Sequence, residues 1–375
     1  MPNEFITLKQ IARKALPRLM DNLVFPNLVY RDYSEAFSDL GDTVQVRCPG
    51  VLTAHEFDET SGVSYEDIKE NTVSVTLDKL ATVDVAAGAI ETAVSLNSEE
   101  ALMRDFIEPA AAALAEKINA DGLKLYKDVF TCVGTAGSPA DSLADLAAVR
   151  KAMNEKKVPA SPRYAVLDSE ADAALITVPA IVNAEKSGDT EALRQGSLGR
   201  VFGVEYFTTP AVMKHVSGIT AATGVKLSAD ADEGDTAVAL TATSLTGKLV
   251  KGDVLVIGGD CYAVTEDSAA ASGNAISSVK ITPALIKDCA ANTAVTVIGS
   301  HTANLAFHPA AFAFVTRPLI NPDGQGVESY VTSYNGISLR VTKGYDQKYK
   351  KSTYSMDVLY GFKTVYPELA VRVLG

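Results

Sequence analysis

Hydrophobic and polar positions near the start of the chain recur with the period of an amphipathic helix. Apolar residues lie three and four positions apart over residues 7–24, and Pro17 is expected to kink or break that helix. The basic residues lie off the apolar face; they are Lys9, Arg13, Lys14 and Arg18. Two interpretations stay open: a helix packed on its own domain, or an arm that docks on a partner.

The longest helical pattern runs from Asn97 to about Phe130. Asn97 and Glu100 resemble a capping box, and Pro109 predicts a bend. A helix spanning most of this window would be about 45 Å long. That length is unusual in a compact enzyme core and is typical of a structural strut.

Alternating apolar residues between these helices predict two strands, one at Thr43–Val46 and one through Val73, Val75 and Leu77. The segment that separates them, residues 52–70, has a single lysine and is strongly acidic. Its acidic residues are Glu56, Asp58, Glu59, Glu66, Asp67 and Glu70. The pattern predicts a long hairpin that reaches away from the body, although such a charge run is usually only a solvated face.

The middle of the chain has an α/β pattern. Ser142–Lys156 is predicted to be a helix, Arg163–Leu167 a buried strand, and Ser169–Leu175 a second helix. Asp168 lies at the end of that strand, where it is either a catalytic carboxylate or, more commonly, the N-cap of the next helix.

Residues 218–300 lose the helical period and contain many short β-like runs separated by turn residues. This pattern predicts a small all-β barrel or sandwich inserted into the α/β part. Residues 304–319 are apolar and aromatic, and alternating strands then continue to the C-terminus. Residues 340–351 are basic and are a candidate match for the acidic hairpin on another copy of the chain.

Composition supports a sizeable core, since 47% of the residues are hydrophobic. The length of 375 residues is enough for two domains or for one large domain with insertions. The net charge of −12 argues against a protein that grips nucleic acid. Lys9, Arg13 and Lys14 interrupt any signal-peptide apolar region, and no segment reaches the roughly 18 uncharged apolar residues of a membrane span. We therefore expect a soluble protein made inside a cell, without membrane contact.

Cysteine spacing does not predict a metal site or a disulfide scaffold. The four cysteines lie far apart with no C-x-x-C pair; they are Cys48, Cys132, Cys261 and Cys289. Spacing alone leaves disulfides possible, and reduced thiols are the default expectation.

The glycine-rich stretch RQGSLGRVFGVEYFTTPAV, residues 194–212, is the first candidate for a ligand site. Phosphate-binding loops run from a strand through glycines into a helix N-terminus. Here the glycines precede a predicted strand, Val204–Phe207, and the order is therefore wrong for a phosphate cradle. Gly247-Lys248 is followed by leucine, which excludes a P-loop there.

Other chemical motifs fail as well. The acidic turn at residues 230–235 lacks the glycine and glutamate positions of a calcium loop, and no G-x-S-x-G element is present. The histidines are too dispersed for a metal motif, and His308 is best explained as a packed or capping residue; the four are His55, His215, His301 and His308. We expect no catalytic residue, no metal and no cofactor.

The order of these parts, with several local sequences, resembles one protein family. The similar stretches are FITLKQIARKALPRLMDNLVFPNLVYRDY, NTVSVTLDK, MRDFIEPAAAALAEKIN, GSLGRVFGVEYFTTPAV, LVKGDVLVIGGDCYAV and NLAFHPAAFAFV. The chain resembles the major capsid (coat) proteins of tailed bacteriophages, in particular the short-tailed-phage subfamily that carries an inserted β-barrel. Each stretch alone is weak, but their order over nearly the whole chain is fairly specific.

The resemblance implies an α+β fold, the phage major-capsid (Johnson) fold shared with herpesvirus capsid floors and encapsulins. The implied parts are an N-terminal arm (1–41), extended loop and peripheral-domain strands (42–96), spine helix and connection (97–140), axial domain (141–217), inserted β-barrel (218–300), axial-domain return strand (301–320) and C-terminal strands of the axial and peripheral domains (321–375).

The resemblance also implies a non-enzymatic function. Many copies would form hexamers and pentamers and close into an icosahedral shell around double-stranded DNA, without sequence-specific DNA binding. The implied partners are a scaffolding protein and a portal, with decoration proteins left open, and the implied location is the virion, after assembly in the host cytoplasm.

We expect subunit contacts at the charged segments. The acidic candidates are Glu56, Asp58, Glu59, Glu66 and Asp67, and the basic candidates on a neighbouring copy are Lys343, Lys348, Lys350 and Lys351. The basic arm would contribute further contacts to partners.

Two other classes of protein stay open. An encapsulin-type compartment would share the fold and hold cargo enzymes, but the β insert argues against it. A secreted adhesin or carbohydrate-binding protein would explain the Thr- and Ala-rich β segment, yet it would need an export signal and would not need the long helix.

Overall fold

The N-terminal hydrophobic pattern forms helix α1 in the computed structural model of the protein. The structure describes residues 8–31, 43–48, 71–88, 107–182, 196–322 and 327–375. The helices are α1 (Leu8–Asn22), α2 (Phe25–Leu28), α3 (Glu108–Leu123), α4 (Leu143–Glu155), α5 (Ser169–Ile176) and α6 (Pro179–Val182). Short 3₁₀ turns follow at Lys124–Asp128, Pro309–Ala311 and Pro367–Leu369.

The strands, in chain order, are β1 (Thr43–Cys48), β2 (Asn71–Thr76), β3 (Lys79–Gly88), β4 (Cys132–Gly134), β5 (Tyr164–Leu167), β6 (Arg200–Val201), β7 (Val204–Thr208), β8 (Lys214–His215), β9 (Ile219–Thr223), β10 (Lys226–Leu227), β11 (Ala237–Thr241), β12 (Ser244–Gly247), β13 (Val254–Ile257), β14 (Asp260–Val264), β15 (Ala275–Thr282), β16 (Val295–Val297), β17 (His301–Phe307), β18 (Phe312–Arg317), β19 (Glu328–Tyr334), β20 (Ile337–Asp346), β21 (Lys351–Thr364) and β22 (Ala370–Leu374).

The chain divides into two units, each assembled from three separate segments. Unit 1 comprises Met1–Pro17, Arg31–Ala110 and Ala313–Val365; unit 2 comprises Arg18–Tyr30, Ala111–Phe312 and Tyr366–Gly375. No helix in the described part of the chain is long and apolar enough to cross a membrane.

Helix α1 confirms the amphipathic prediction but not a break at Pro17. Ile11, Leu16 and Leu19 are buried, whereas Pro17 is exposed and the helix runs through it. Burial of apolar side chains on both sides of Pro17 offsets the one backbone hydrogen bond that proline removes.

Helix α3 confirms the second half of the long helical pattern. Pro109 lies in its first turn, where a missing N–H costs nothing. Asn119 on this helix accepts hydrogen bonds from the backbone N–H groups of Val24 (3.1 Å) and Phe25 (3.2 Å) and thereby fixes the start of α2. The predicted capping box at Asn97 lies outside the described residues.

Unit 2 is built on a seven-stranded mixed sheet. The strand order is β4-β22-β17-β5-β7-β6, with β8 pairing to β17, and the β4–β22 and β5–β7 pairs are parallel. Helix α4 packs its buried Val149 and Met153 in the same core cluster as Leu167 and Val204 from β5 and β7. The predicted helix, strand, helix order of this region is confirmed.

Residues 218–300 form only strands and connecting segments, which confirms the all-β prediction. Six strands pair in the order β10-β11-β15-β14-β13-β16, and β9 pairs with β12. Their core contains Leu255, Tyr262, Val279 and Ile281, all buried, so this segment has an apolar core of its own. A closed barrel stays a prediction.

Unit 1 contains a five-stranded sheet in the order β18-β21-β20-β19, in which β3 also pairs with β21; the β19–β20, β20–β21 and β3–β21 pairs are antiparallel. Strands β1 and β2 pair antiparallel from Thr43↔Thr76 to Cys48↔Asn71, the register of a hairpin whose connecting residues 49–70 lie outside the described part. The apolar run at 304–319 forms two strands, β17 and β18, separated by a 3₁₀ turn.

Candidate subunit interface

The basic segment predicted to contact a neighbouring copy forms the tip of the β20–β21 hairpin. Asp346 pairs with Lys351 in the ladder, and the Asp346 carboxylate accepts hydrogen bonds from the backbone N–H groups of Lys348 (2.8 Å) and Tyr349 (3.2 Å). These bonds close the turn from within. The turn therefore presents its side chains from a defined backbone.

All four lysines that were predicted to contact a neighbouring copy are exposed on this hairpin; they are Lys343, Lys348, Lys350 and Lys351. The Lys343 ammonium lies 5.9 Å from the ring centre of Tyr354, and the Lys348 ammonium lies 5.2 Å from that of Tyr349. Asp346 is the one carboxylate within residues 341–351. The tip therefore carries net positive charge that faces solvent.

Arg340, which lies in the same basic segment, serves a different purpose. Its guanidinium donates two hydrogen bonds to one carboxylate oxygen of the buried Asp357, at 2.9 and 2.7 Å. This ion pair joins β20 to β21 at the base of the hairpin. Arg340 therefore holds the ribbon together, and the lysines beyond it remain at the surface.

Unit 1 also exposes large apolar side chains on the same sheet. Tyr345 and Tyr349 at the hairpin tip are 54% and 63% exposed, and Leu80 and Val85 on β3 are 47% and 40% exposed. Tyrosine is enriched at protein–protein interfaces. The sheet offers both apolar area and charge to a partner.

The basic residues of the N-terminal helix are all exposed on the face opposite its buried one; they are Lys9, Arg13, Lys14 and Arg18. The packed-helix interpretation is thus correct for the apolar face, and the basic face remains accessible for a partner. The acidic candidates, Glu56, Asp58, Glu59, Glu66 and Asp67, all lie outside the described residues.

Unit 2 contains a buried polar network that sequence reasoning missed. The His215 ring bonds to the Asp253 carboxylate through Nε2 (2.8 Å) and to the Tyr126 hydroxyl at Nδ1 (3.1 Å). His215 is 2% exposed and Asp253 is fully buried, and a substrate therefore cannot reach this Asp–His–Tyr chain. The network joins the 218–300 segment to the 3₁₀ turn after α3.

Arg372 completes this network from strand β22. Its fully buried guanidinium donates to the carbonyls of Gly252 (2.7 Å), Val129 (2.9 Å) and Tyr126, and it lies 5.0 Å from the Tyr126 ring centre. Burial lowers the pKa of Arg372 to about 10, so the group stays charged at neutral pH. One charged residue within the apolar AVRVL strand was the available sequence signal.

His301, whose ring centre lies 5.3 Å from that of His215, makes the stability of this region depend on pH. Burial lowers its pKa to about 4, its Nδ1 bonds to the Gly299 carbonyl (2.8 Å), and its Nε2 has no hydrogen-bond partner among the described residues. As pH falls below 6.5, His301 becomes protonated in the unfolded chain before it does so in the folded protein. The free energy of unfolding should therefore decrease between pH 6.5 and about pH 4.

The expected loss attributable to His301 is about 3 kcal/mol across that window. The measurement is the unfolding free energy from urea titrations at several pH values. The His301→Gln variant should show a flatter profile than the unmodified protein between pH 6.5 and 4. Equal slopes for the two proteins would contradict the assignment.

The remaining sequence candidates have structural roles. Asp168 is the N-cap of α5 and accepts from the N–H groups of Glu170 (3.2 Å) and Ala171 (3.3 Å), which confirms the commoner of its two predicted roles. His308 caps the 3₁₀ turn after β17 by accepting from the Ala310 N–H (3.2 Å). Both polar side chains therefore accept hydrogen bonds from nearby backbone N–H groups.

The glycine-rich stretch turns the chain into β7 as predicted. Gly196, Gly199 and Gly203 adopt φ of +68°, +61° and +84°, and no helix follows them before β7 begins at Val204. In the acidic turn of residues 230–235, the Asp235 carboxylate accepts a hydrogen bond from the Asp232 N–H (3.0 Å), which closes the turn.

Comparison with known proteins places the fold. No family model matches the chain, and no curated protein matches it either. A chain in a structure of Mycobacterium phage Che8 is similar with a TM-score of 0.52 and 19% identity, over 94% of this chain and 90% of that one. This chain therefore shares the fold of that phage protein chain, and the expected α+β class is confirmed.

Two more distant similarities have TM-scores below 0.5. The mature capsid of bacteriophage PhiM1 gives 0.48 at 10% identity, covering 100% of this chain and 89% of that one. The capsid of cyanophage P-SCSP1u gives 0.47 at 13% identity, covering 94% and 88%.

Proposed function

We propose that this chain is the major capsid protein of a tailed bacteriophage. Many copies assemble into hexamers and pentamers that close into an icosahedral shell around double-stranded DNA. The protein is structural rather than enzymatic, and its place is the virion. Interfaces between copies, rather than a substrate pocket, perform this function.

The observation that carries the proposal is the fold shared with a phage protein over 94% of the chain. The order of parts along the sequence supports it independently, because the arm, hairpin, long helix and C-terminal strands follow the order of the coat-protein family. The exposed tyrosines and lysines on the unit 1 sheet are suited to contacts between copies.

The net charge of −12 fits a container for DNA. A strongly basic protein would neutralise phosphates and adhere to the packaged duplex, which would hinder packing and release. Two local clusters of basic residues lie in the N-terminal helix and at the β20–β21 hairpin tip, where we place contacts between protein subunits.

The central contact in this proposal joins the acidic hairpin of one copy to the basic tip of another. The lysines of the tip are exposed and the turn that presents them is closed by Asp346. One exposed ion pair contributes only about 0–1 kcal/mol. Repetition in every subunit of a closed shell multiplies that contribution.

The basic N-terminal helix contributes a second contact. We expect residues 9–22 to exchange backbone amide hydrogens more slowly in assembled shells than in free subunits, because a partner covers the face that carries Arg13 and Lys14. Hydrogen-exchange mass spectrometry measures this. Identical exchange in the two states would contradict the arm contact.

The remaining parts of the proposal follow the coat-protein family. Residues 218–300 would be an inserted β-barrel domain spliced into an axial domain at 141–217, and residues 42–96 would supply the extended loop of a peripheral domain. A scaffolding protein and a portal are the expected partners during assembly, and decoration proteins stay open.

Electron microscopy of the purified protein tests the proposed function. We expect uniform shells or capsomers, and shells assembled in the host should contain DNA. Monodisperse monomers under all assembly conditions would contradict the proposal. Uniform shells that enclose protein cargo and no DNA would instead support an encapsulin-type compartment.

A further inference from the structure

Two cysteines that lie far apart in sequence meet in unit 2. The sulfur atoms of Cys132 on β4 and Cys261 on β14 are 3.1 Å apart, although 129 positions separate the residues. Strand β4 belongs to the seven-stranded sheet, and β14 belongs to the six-stranded sheet of residues 218–300. A bond between these sulfurs would join the two sheets.

We propose that Cys132 and Cys261 are a modification site, at which a low-molecular-weight disulfide such as oxidised glutathione closes an intramolecular disulfide that ties the 218–300 segment to the body of unit 2. The bond length of a disulfide is about 2.0 Å, and the sulfurs therefore need to approach by only about 1 Å.

Small molecules can reach the pair. Both cysteines are partly exposed and line an open cleft of about 420 Å³. Cys289, by contrast, is buried, and its thiol lies 3.5 Å from the Lys287 carbonyl. The chain therefore supplies its own control thiol, which is buried and has no sulfur neighbour among the described residues.

No group of three or more metal-ligating side chains occurs among the described residues, and the pair is therefore not part of a larger metal cluster there. Charged groups do surround it. Those that line the cleft or act on the sulfurs are Lys151, Glu155, Lys156, Asp260 and Arg372. Cations outnumber carboxylates in this set, which favours a thiolate.

The hydrogen bond between the thiols prepares one of them for reaction. The hydrogen bond from Cys132 lowers the pKa of Cys261, with Lys156 adding to this effect and burial and Asp260 opposing it. The same hydrogen bond, together with burial, raises the pKa of Cys132. Cys261 is therefore the attacking thiolate, and Cys132 is the resolving thiol.

The reaction proceeds in two exchange steps. The Cys261 thiolate attacks one sulfur of oxidised glutathione, which forms a mixed disulfide and releases one glutathione thiolate. Cys132 then loses its proton to water and attacks the Cys261 sulfur, which releases the second glutathione. The two cysteines are oxidised by two electrons, and one glutathione disulfide is reduced to two thiols.

The bond should stabilise unit 2, because it closes a long loop and restricts the unfolded chain. We expect the thermal unfolding midpoint of the oxidised protein to rise by roughly 3–6 °C. The rate of oxidation should rise with pH as the Cys261 thiolate forms and level off once the thiolate is fully populated.

The test treats the purified full chain with oxidised glutathione, blocks residual thiols by alkylation, and maps disulfides by peptide mass spectrometry. We expect a Cys132–Cys261 peptide pair and alkylated Cys289. Cys132→Ser should stop at a glutathione adduct on Cys261, whereas Cys289→Ser should still form the bond.

Three outcomes would overturn the proposal: no linked peptide, a stable glutathione adduct on Cys261 of the unmodified chain, or Cys289 reacting as fast as Cys261. A Cys132→Ser/Cys261→Ser double variant controls for the thermal shift, which it should lose while remaining folded. The result is independent of shell assembly, because the site lies within one chain.

Discussion

Replacing Arg372 by methionine is expected to lower the free energy of unfolding by about 3–5 kcal/mol, because the buried groups that interact with its charge lose that interaction and remain buried. The change removes the guanidinium donor from the carbonyls of Gly252, Val129 and Tyr126, of which the Tyr126 carbonyl keeps its bond from the Val129 N–H (3.1 Å). It also removes a positive charge from the surroundings of the buried Asp253. The methionine side chain is similar in length and fills most of the space.

Two effects oppose each other at this site. An apolar side chain avoids the cost of burying a guanidinium, and replacing a whole buried ion pair by apolar groups is often neutral. At Arg372 only one partner is removed, and each unpaired buried carbonyl costs about 1–3 kcal/mol. The loss of partners therefore outweighs the relief of desolvation.

Urea unfolding of dissociated subunits measures this effect. Arg150→Met on the exposed face of α4 removes the same charge and should change the unfolding free energy by about 0.5 kcal/mol or less. Arg372→Lys should be intermediate, because one ammonium cannot reach all three carbonyls. Equal stability of the Arg372→Met and Arg150→Met proteins would refute the role of the network.

Reversing three charges at the hairpin tip should reduce the yield of shells at least tenfold. The variant is Lys348→Glu/Lys350→Glu/Lys351→Glu, which would turn attraction toward the acidic hairpin of a neighbour into repulsion. Three reversed contacts at about 0–1 kcal/mol each are enough for that factor, because 1.4 kcal/mol corresponds to tenfold. Sedimentation separates shells from free subunits and measures the yield.

A matched control reverses three exposed lysines elsewhere, Lys157, Lys214 and Lys363, and has the same net charge. It should assemble normally. Adding Glu56→Lys, Asp58→Lys and Glu59→Lys to the tip variant should restore assembly, and high salt should reduce the defect by screening the charges. Normal yield in the tip variant, or an equal defect in the control, would contradict the proposed contact.

Local pattern was sufficient for many individual elements. The spacing of apolar residues predicted α1, and Ser142 and Asp145 form the capping box that begins α4 within the predicted helix. Short apolar runs predicted most strands of the 218–300 segment, and the position of Asp168 after a strand predicted its N-cap. These features depend on residues a few positions apart.

Sequence order also predicted the class of fold, because the parts follow one another as in a known family. It identified the four lysines of the basic segment as contact candidates, but it did not show that they lie at a hairpin tip or that Arg340 forms an ion pair with Asp357. The ion pair depends on the register of β20 against β21, which periodicity does not fix.

Only the tertiary structure decided which distant side chains meet. Arg372 and Gly252 are 120 positions apart, and Cys132 and Cys261 are 129 apart. Periodicity reports which face of an element is buried, but not which other element covers it. The sequence by itself therefore determined the elements, their order and the exposed charges, whereas packing of strands distant in sequence created the buried network and the cysteine pair.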